Sequence, residues 1–181
     1  MELLDIVDEN GMPTGETVER SSAHEQGIRH RTAHLWLLRE RNGEVEVLLQ
    51  KRSAVKDSHP GCYDISSAGH SPAGVDFSPS AVRELQEELG LTAREQELHY
   101  CGQRRFTWED CFHGKRFVDN QVSNVYCLWM DVQPEECTLQ KEEVEQVIWM
   151  KLTECKEAVK NNRIPHCIVL EELNMLPMRK E

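Results

Sequence analysis

The spacing of apolar residues predicts a chain built mainly from strands, with helices in the middle and at the end. Val45 and Val47 alternate with glutamates, and a neighbouring run at 32–40 is separated from them by Asn42-Gly43, a hairpin signal. Further strands are expected at 3–7, 97–106, 122–132 and 144–151, and helices at 19–25, 153–161 and 165–176. Because strands outnumber helices, we predict an α+β or α/β sandwich with helices packed on a mixed sheet.

One further helix, expected at about 79–89, carries three carboxylates on one face. Glu84, Glu87 and Glu88 stand at positions i, i+3 and i+4, which lie side by side on a helix. Three like charges this close repel one another and do not stabilise the helix. A hard divalent cation that prefers oxygen ligands would turn the repulsion into a binding site. A solvated acidic face is the alternative.

The same helix has an apolar edge and marked ends. Val82, Leu85 and Leu89 form a stripe with the spacing needed to dock on a core. Ser78 followed by a proline is typical of an N-cap, and Gly90 is typical of the residue that ends a helix. We therefore expect this edge to pack on the sheet, with the carboxylates on the opposite side.

Size and charge narrow the class of protein. The 181 residues suit one soluble domain that can bury most of its apolar surface. A formal net charge of −11 argues against nucleic acid or an anionic membrane as the main partner. No apolar run approaches the length of a membrane span, and the first five residues are acidic rather than signal-like. An anionic substrate would need bridging cations or a local basic patch.

The cysteines indicate a reducing compartment. Their number is odd, their spacing is scattered, and no CxxC pair suggests a zinc site. With no export signal either, reduced thiols are the simplest explanation, so we expect a cytoplasmic protein. The seven are Cys62, Cys101, Cys111, Cys127, Cys137, Cys155 and Cys167.

The loop before the acidic helix places the carboxylates in a known pattern. Small residues fill much of 66–74, which leads from a strand-like segment towards the helix. Loop and helix together resemble the Nudix box: Gly, five residues, Glu, seven residues, then Arg-Glu-aliphatic-x-Glu-Glu-x-Gly-aliphatic. Gly69 and the whole run from Arg83 to Leu91 fit at the right spacing. One position departs, because the isolated Glu of the pattern falls on Val75, with Asp76 next to it.

The resemblance implies a fold and a reaction. Nudix proteins, including the MutT-like enzymes, form an α/β/α sandwich, so residues 1–181 would make one such domain with the box at about 69–91. Nudix hydrolases cleave the pyrophosphate linkage of nucleoside diphosphate derivatives by water attack at phosphorus. The implied cofactor is Mg²⁺, with Mn²⁺ as the alternative, and the implied partner is a small-molecule diphosphate. Dimers are frequent in the family, which leaves a homodimer open.

The resemblance also implies roles for individual residues. Glu87 and Glu88 become the leading metal ligands, and Glu84 becomes a third ligand or the base for the attacking water. The backbone carbonyl of Gly69 is a further ligand, with no side chain to hinder close approach. Arg83 would contact Glu87 one turn later and hold its rotamer, with a weak surface ion pair as the alternative.

The departure from the pattern leaves Arg83 without a partner that it has in the family. Asp76 would replace that partner only if the loop shifted by one residue, which is a hypothesis. Substrate phosphates would also need cations, each of which has an exposed surface charge as its alternative. Arg52 and Lys56 are favoured because they lead into the box, and the full set of candidates is Lys51, Arg52, Lys56, Arg104 and Arg105. Trp108 is a candidate for stacking on a nucleobase, with simple packing as the alternative.

A second resemblance lies upstream of the box. Residues 30–32, 48–53, 56 and 60–61 are similar to isopentenyl-diphosphate isomerase, which shares the Nudix fold. His24, His30 and His70 fall near that enzyme's metal-binding histidines, which implies a transition-metal trio. Unrelated surface or core histidines are the alternative.

The catalytic positions of the isomerase are not matched. Ala68 stands where the isomerase has its essential cysteine, and the two metal-binding glutamates of a later strand align with Val122 and Asn124. Without a thiol or an acid, allylic proton transfer has no agent. A hydrolase is therefore favoured over an isomerase-like enzyme. It is also favoured over a non-catalytic Nudix-fold binding module, which only Val75 supports.

Overall fold

The computed structural model describes residues 1–181, which form nine strands, four α-helices and two short 3₁₀ turns. The strands are β1 (Leu3–Val7), β2 (Pro13–Glu19), β3 (His30–Arg41), β4 (Glu44–Arg52), β5 (Tyr63–Asp64), β6 (Ser67–His70), β7 (His99–Phe112), β8 (Lys115–Trp129) and β9 (Val144–Lys151). The helices are α1 (Arg20–Gln26), α2 (Phe77–Leu89), α3 (Leu152–Lys160) and α4 (Leu170–Leu173).

Strand β3 organises the main sheet. Five strands run in the order β5-β4-β3-β8-β7, β6 pairs with β3, and β9 pairs with β4. β8 runs parallel to β3, whereas β6 and β4 run antiparallel along the other edge, β6 beside residues 32–35 and β4 beside residues 38–41. The change from β6 to β4 interrupts that edge. The side chain of Gln50 bridges the interruption by donating a 3.1 Å hydrogen bond to the carbonyl of Ser66.

Helices cover both faces of the main sheet, because alternate residues of β3 point to opposite sides. α2 lies on one face and buries Leu85 and Leu89 completely. α3 and α4 lie on the other, with Leu152 and Leu173 buried in the same cluster as Trp36. This arrangement confirms the predicted α/β/α sandwich around a mixed sheet. None of the helices has the length and apolar character needed to cross a membrane.

Most predicted elements are present, some with different ends. β1 and β9 have the predicted bounds 3–7 and 144–151. The hairpin of β7 and β8 is longer than predicted and pairs as far as Phe112 and Lys115. Its outer residues are mostly exposed, so no apolar pattern marks them in the sequence.

The predicted N-cap of α2 was wrong by two residues. Asp76 is the cap, and its Oδ1 accepts a 2.7 Å hydrogen bond from the N–H of Phe77. Ser78 instead lies inside the helix, where its hydroxyl donates to Glu95. The other end is as predicted, since Gly90 adopts a left-handed conformation that ends the helix.

The predicted helix at 165–176 was largely wrong, because only α4 forms within it. The chain before α4 stays extended against β5. The N–H of Tyr63 donates to the carbonyl of Pro165, and the N–H of Cys167 donates to the carbonyl of Tyr63. These backbone bonds take the groups that a longer helix would use.

Candidate active site

A cavity of about 1000 Å³ lies over the α4 face of the main sheet and reaches the carboxylates of α2. Alternate residues of β3, β8 and β7 form its floor, and the loop between β4 and β5 forms part of its rim. The gap between β6 and β4 opens the cavity towards α2, which lies on the other face of the sheet. Glu88 of α2 accepts a 2.9 Å hydrogen bond from Gln50 at this point.

The structure brings the three predicted carboxylates together on one wall of the cavity. Burial, with the charge of Glu84, raises the pKa of Glu88 to about 8, and Glu88 is 7% exposed. Burial also raises the pKa of Glu84 to about 7, although the charge of Arg83 opposes that shift. Glu87 is exposed beside them. Carboxyl groups held in this way keep protons near neutral pH unless a cation balances their charge.

Gly69 allows Glu84 to lie against β6. A Cβ placed on Gly69 would overlap the carboxyl group of Glu84. The box glycine therefore leaves the space that the carboxyl group of Glu84 occupies against β6, in addition to leaving its own carbonyl accessible.

Arg83 does not make the predicted contact with Glu87. Its guanidinium donates to the carboxylate of Glu84 and, at 3.0 Å, to the backbone carbonyl of His70. The carbonyl at the end of β6 provides an acceptor that a helix-only prediction omits. Arg83 consequently ties α2 to β6 and holds Glu84 rather than Glu87.

Asp76 does not take the place of the missing box glutamate. Its carboxylate caps α2 and lies 3.3 Å from Nη1 of Arg31, with 75% of the side chain exposed. It does not line the cavity. Val75 lies in a turn closed by its own N–H and the carbonyl of Pro72. The hypothesis of a one-residue shift therefore has no structural support.

Three histidines and an aspartate meet at another wall of the cavity, where all of them but the buried His30 line it. His24 of α1, His30 of β3, His70 of β6 and Asp119 of β8 each offer one ligand atom, and these atoms lie within 4.8 Å of one another. Nε2 of His24 is 3.3 Å from Nε2 of His70. Nε2 of His24 and Nε2 of His30 are each 3.7 Å from Oδ1 of Asp119. We call these four residues the histidine cluster.

Unpaired atoms in the histidine cluster indicate that it can hold a metal ion. Nδ1 of the fully buried His30 lies 2.8 Å from the carbonyl of Ile28, so Nδ1 carries the proton and Nε2 carries a lone pair. Neither His30 Nε2 nor Asp119 Oδ1 has a hydrogen-bond partner. Burial lowers the pKa of His30 and of His70, which keeps both rings neutral. Neutral imidazoles with a carboxylate suit a transition metal.

The predicted alignment of Val122 and Asn124 with later metal ligands was wrong. Val122 is buried in the core, and Asn124 accepts a hydrogen bond from Gln103. Asp119 occupies the position beside the histidines, and Gln121 follows it on the same side of β8. The alternation Asp119-x-Gln121 is the sequence signal that marks this part of the site.

The two favoured substrate cations, Arg52 and Lys56, both line the cavity. Nη1 of Arg52 lies 3.3 Å from Oδ2 of Asp64. The ammonium of Lys56 is paired with Glu143. Both cations are therefore held at the rim by carboxylates that a phosphate would have to displace.

Of the two neighbouring candidates on β7, Arg105 lies outside the cavity. Its side chain is 60% exposed and faces Glu9. Arg104 lines the cavity instead, because alternate residues of β7 point to opposite sides. Trp108 lies on the same side as Arg104 and contacts Phe117, so these rings form an aromatic part of the wall.

Sequence reasoning missed a buried carboxylate on α4. Glu172 is 2% exposed and accepts hydrogen bonds from His34 Nδ1 at 2.9 Å, Trp36 Nε1 at 3.0 Å and Arg104 Nη1 at 2.8 Å. Burial alone would raise the pKa of Glu172, but the nearby charges and hydrogen bonds lower it to about 2. Glu172 follows Glu171 in a segment predicted to be a regular helix. Nothing in the sequence distinguishes it from an exposed glutamate.

Comparison with known proteins identifies the family. The family described as the NUDIX domain matches residues 28–168. The chain belongs to this family. The prediction of a Nudix hydrolase is thereby confirmed.

A curated relative and two solved structures agree with this assignment. The chain is 32% identical over 160 residues to an uncharacterized Nudix hydrolase of Clostridium acetobutylicum, covering 88% of this chain and 75% of that protein. The crystal structure of DR0079 from Deinococcus radiodurans has a TM-score of 0.69 at 16% identity, covering 96% of this chain and 98% of its own. The NUDIX domain of Shewanella oneidensis NrtR, complexed with ADP ribose, has a TM-score of 0.57 at 15% identity, covering 87% and 97%. These two structures establish the fold of this Nudix hydrolase.

Proposed function

We propose that this Nudix hydrolase cleaves the pyrophosphate linkage of a nucleoside diphosphate derivative by attack of water on phosphorus, with Mg²⁺ or Mn²⁺ as cofactor. The observation that carries the proposal is the set of Glu84, Glu87 and Glu88 on one wall of a cavity of about 1000 Å³. The Shewanella domain is complexed with ADP ribose, which makes ADP-ribose the first substrate to test.

The carboxylate wall fits a hard divalent cation. Burial raises the pKa of Glu84 and of Glu88 because it disfavours their ionised forms. A cation that replaces their protons balances the negative charge of the ionised carboxylates. Gly69 lies against Glu84, which makes its carbonyl a candidate further ligand. When bound, the cation neutralises diphosphate oxygens and acidifies the attacking water.

The side chains of the protein supply the remaining steps. Glu84 acts either as a further ligand of the cation or as the base that accepts the proton of the attacking water. Arg83 fixes the position of Glu84 through its two hydrogen bonds. Arg52 and Lys56 exchange their carboxylate partners for phosphate oxygens of the substrate.

A second ion is proposed at the histidine cluster. Its four ligand atoms lie within 4.8 Å of one another, and two of them have no hydrogen-bond partner. Nitrogen and carboxylate donors favour Zn²⁺ or Mn²⁺ over Mg²⁺. Because His70 directly follows Gly69, this ion would hold the wall next to the carboxylates of α2.

We also propose that residues 1–181 act as a single domain. Leu4 of β1 and Leu176 after α4 lie outside the family match at 28–168, yet both are buried. The terminal segments therefore contribute to the packing of the sandwich.

The alternatives have less support. Ala68 and Gln121 line the cavity where an isomerase would need a thiol and an acid, and neither side chain can transfer a proton to carbon. A binding module would not need three carboxylates on the cavity wall. The isomerase-like subgroup is therefore not part of the proposal.

The proposal is tested with ADP-ribose, other nucleoside diphosphate derivatives and isopentenyl diphosphate, each with Mg²⁺ or Mn²⁺. We expect metal-dependent phosphate-ester products from wild type and from Glu16→Gln, which alters an exposed glutamate on β2. Glu87→Gln and Glu88→Gln should lose activity. Isomerisation of isopentenyl diphosphate contradicts the proposal. Tight binding of a ligand without turnover would establish the binding module instead.

A further inference from the structure

The floor of the cavity carries two nitrogen donors on one buried carboxylate. Arg104 and His34 both donate to Glu172, at 2.8 Å and 2.9 Å. Burial opposes protonation of His34, but the charge of Glu172 helps to raise the pKa of His34 above its ordinary value. Arg104 and a His34 ring that favours its protonated form therefore share one anion. Glu171 lies 3.7 Å from Arg104, but with 71% of its side chain exposed water screens most of its charge.

Arg104 has donors to spare. A guanidinium has five N–H groups, and the only side-chain hydrogen bond of Arg104 runs from Nη1 to Glu172. The side chain lines the cavity and is 7% exposed, and Nε is enclosed without a hydrogen-bond partner. Nη2 has no acceptor in the chain either and is not enclosed, so it can donate to a ligand in the cavity.

His34 adds a second donor on the same floor. Its Nδ1 is committed to Glu172, and its Nε2 has only a long contact of 3.5 Å to the hydroxyl of Thr32. Thr32 is in turn 2.5 Å from the hydroxyl of Ser123. Nε2 of His34 therefore has no strong partner within the protein.

Strand register sets the distance between this floor and the carboxylates of α2. His70, Thr32, Ser123 and Arg104 are paired in one row across β6, β3, β8 and β7. Three strand spacings place the backbones of His70 and Arg104 about 14 Å apart. The guanidinium of Arg104 shares the acceptor Glu172 with His34 of β3, which brings these two donors together on the floor.

We propose that Arg104 and His34 form a subsite for a second anionic group, carried on the organic part of the substrate, of which a phosphate monoester is the simplest. This inference rests on the proposed function, which places the diphosphate at α2. Trp36 also donates to Glu172, at 3.0 Å, so Arg104 and His34 are not its only donors. Among substrates with the same diphosphate, the enzyme would then prefer those that carry a second anionic group.

The test compares the binding of ADP-ribose with that of its 2′-phosphorylated form, by calorimetric titration in the presence of Ca²⁺. Wild type should bind the phosphorylated compound about ten- to hundred-fold more tightly. Arg104→Gln should lose this preference, and Arg104→Lys should keep part of it. Trp36→Phe removes a hydrogen bond to Glu172 without removing a cation, so it should keep the full preference.

The ratio of the two affinities distinguishes a subsite from a purely structural role of Arg104. A general structural loss would weaken both compounds equally and leave their ratio unchanged, which overturns the subsite. Equal binding by wild type, or no binding of either compound, also overturns it. If Arg104→Gln does not fold, His34→Asn provides the same comparison with a several-fold smaller loss. A preference without hydrolysis of either compound would support the subsite while contradicting the proposed function.

Discussion

Burial of Glu88 sets a competition between protons and a cation. Its carboxyl group has one hydrogen-bond donor, Gln50, and lies near the charge of Glu84. Without metal, the folded protein holds a proton that the unfolded chain releases at a lower pH. With metal, the same burial favours cation binding, and it does so increasingly as pH rises.

Glu88→Gln should change the pH dependence of stability in the metal-free protein. Because the folded pKa is about 8 and the ordinary value is 4.5, wild-type stability is full below about pH 4.5 and is lost as pH rises through about 8. A glutamine does not ionise, so the variant should unfold several degrees higher than wild type near pH 9. Thermal unfolding with a chelator present measures this, and Glu16→Gln serves as the control. A variant that follows the wild-type curve would show that Glu88 is not held as an acid.

Asp119 and the three histidines make a separate prediction about metal content. Titration with Co²⁺ should give one bound ion with visible absorption bands, because imidazole and carboxylate ligands split the metal's d levels. Asp119→Asn and His30→Gln should lose that signal. His99→Gln changes an exposed histidine and should retain it. Equal spectra from all four proteins would rule out the histidine cluster as the site.

Helix α2 is placed by its two ends and by β6. Asp76 caps the first turn, Gly90 ends the last, and Gly69 leaves room for Glu84 against the strand. Each of these local features positions the carboxylates without touching a substrate. The helix is therefore a rigid carrier for the site, which is what metal ligands require.

The cap can be tested by a pair of substitutions. Asp76→Ala should lower the free energy of unfolding by about 1 kcal/mol, because the N–H of Phe77 loses its acceptor. Its kcat/KM should stay close to wild type. Ser78→Ala, at the position that the sequence pattern suggested, should cost less. Chemical denaturation and the hydrolysis assay check both. A large loss of activity in Asp76→Ala alone would revive a catalytic role for this carboxylate.

Local patterns predicted most of the architecture and part of the site. Alternation and helical spacing located β1, β9 and α2, and the box spacing located the three carboxylates. Exposed strand pairs in the β7–β8 hairpin leave no apolar pattern, so their length was missed. Glu172 was missed because its partners His34 and Arg104 come from distant strands, and only the folded register brings them together.

The cavity combines elements from the whole chain, so ligands should stabilise the whole domain. Three carboxylates come from α2, and the buried carboxylate of Glu172 comes from α4. The histidines come from α1, β3 and β6. Anything that binds only the folded form shifts unfolding by mass action. Because the cavity includes residues of α1 and of α4, metal binding should stabilise the fold from one end of the chain to the other.

Mg²⁺ at about one hundred times its dissociation constant should raise the unfolding temperature by about 5–10 °C, corresponding to about 2.7 kcal/mol. Glu88→Gln should show little or no increase. Scanning calorimetry with and without Mg²⁺ measures the difference. An equal increase in wild type and Glu88→Gln would place the ion elsewhere.

Water attack at phosphorus is tested most directly by isotope incorporation. Wild type is incubated with Mg²⁺ in ¹⁸O-labelled water. The substrate is ADP-ribose or another diphosphate that the protein turns over, and mass spectrometry measures the masses of the products. Hydrolysis predicts one ¹⁸O atom in one of the two phosphate products. Glu88→Gln should form labelled product at least about 100-fold more slowly. Products without label in a phosphate group, or undiminished labelling in Glu88→Gln, would contradict metal-assisted hydrolysis by the carboxylates of α2.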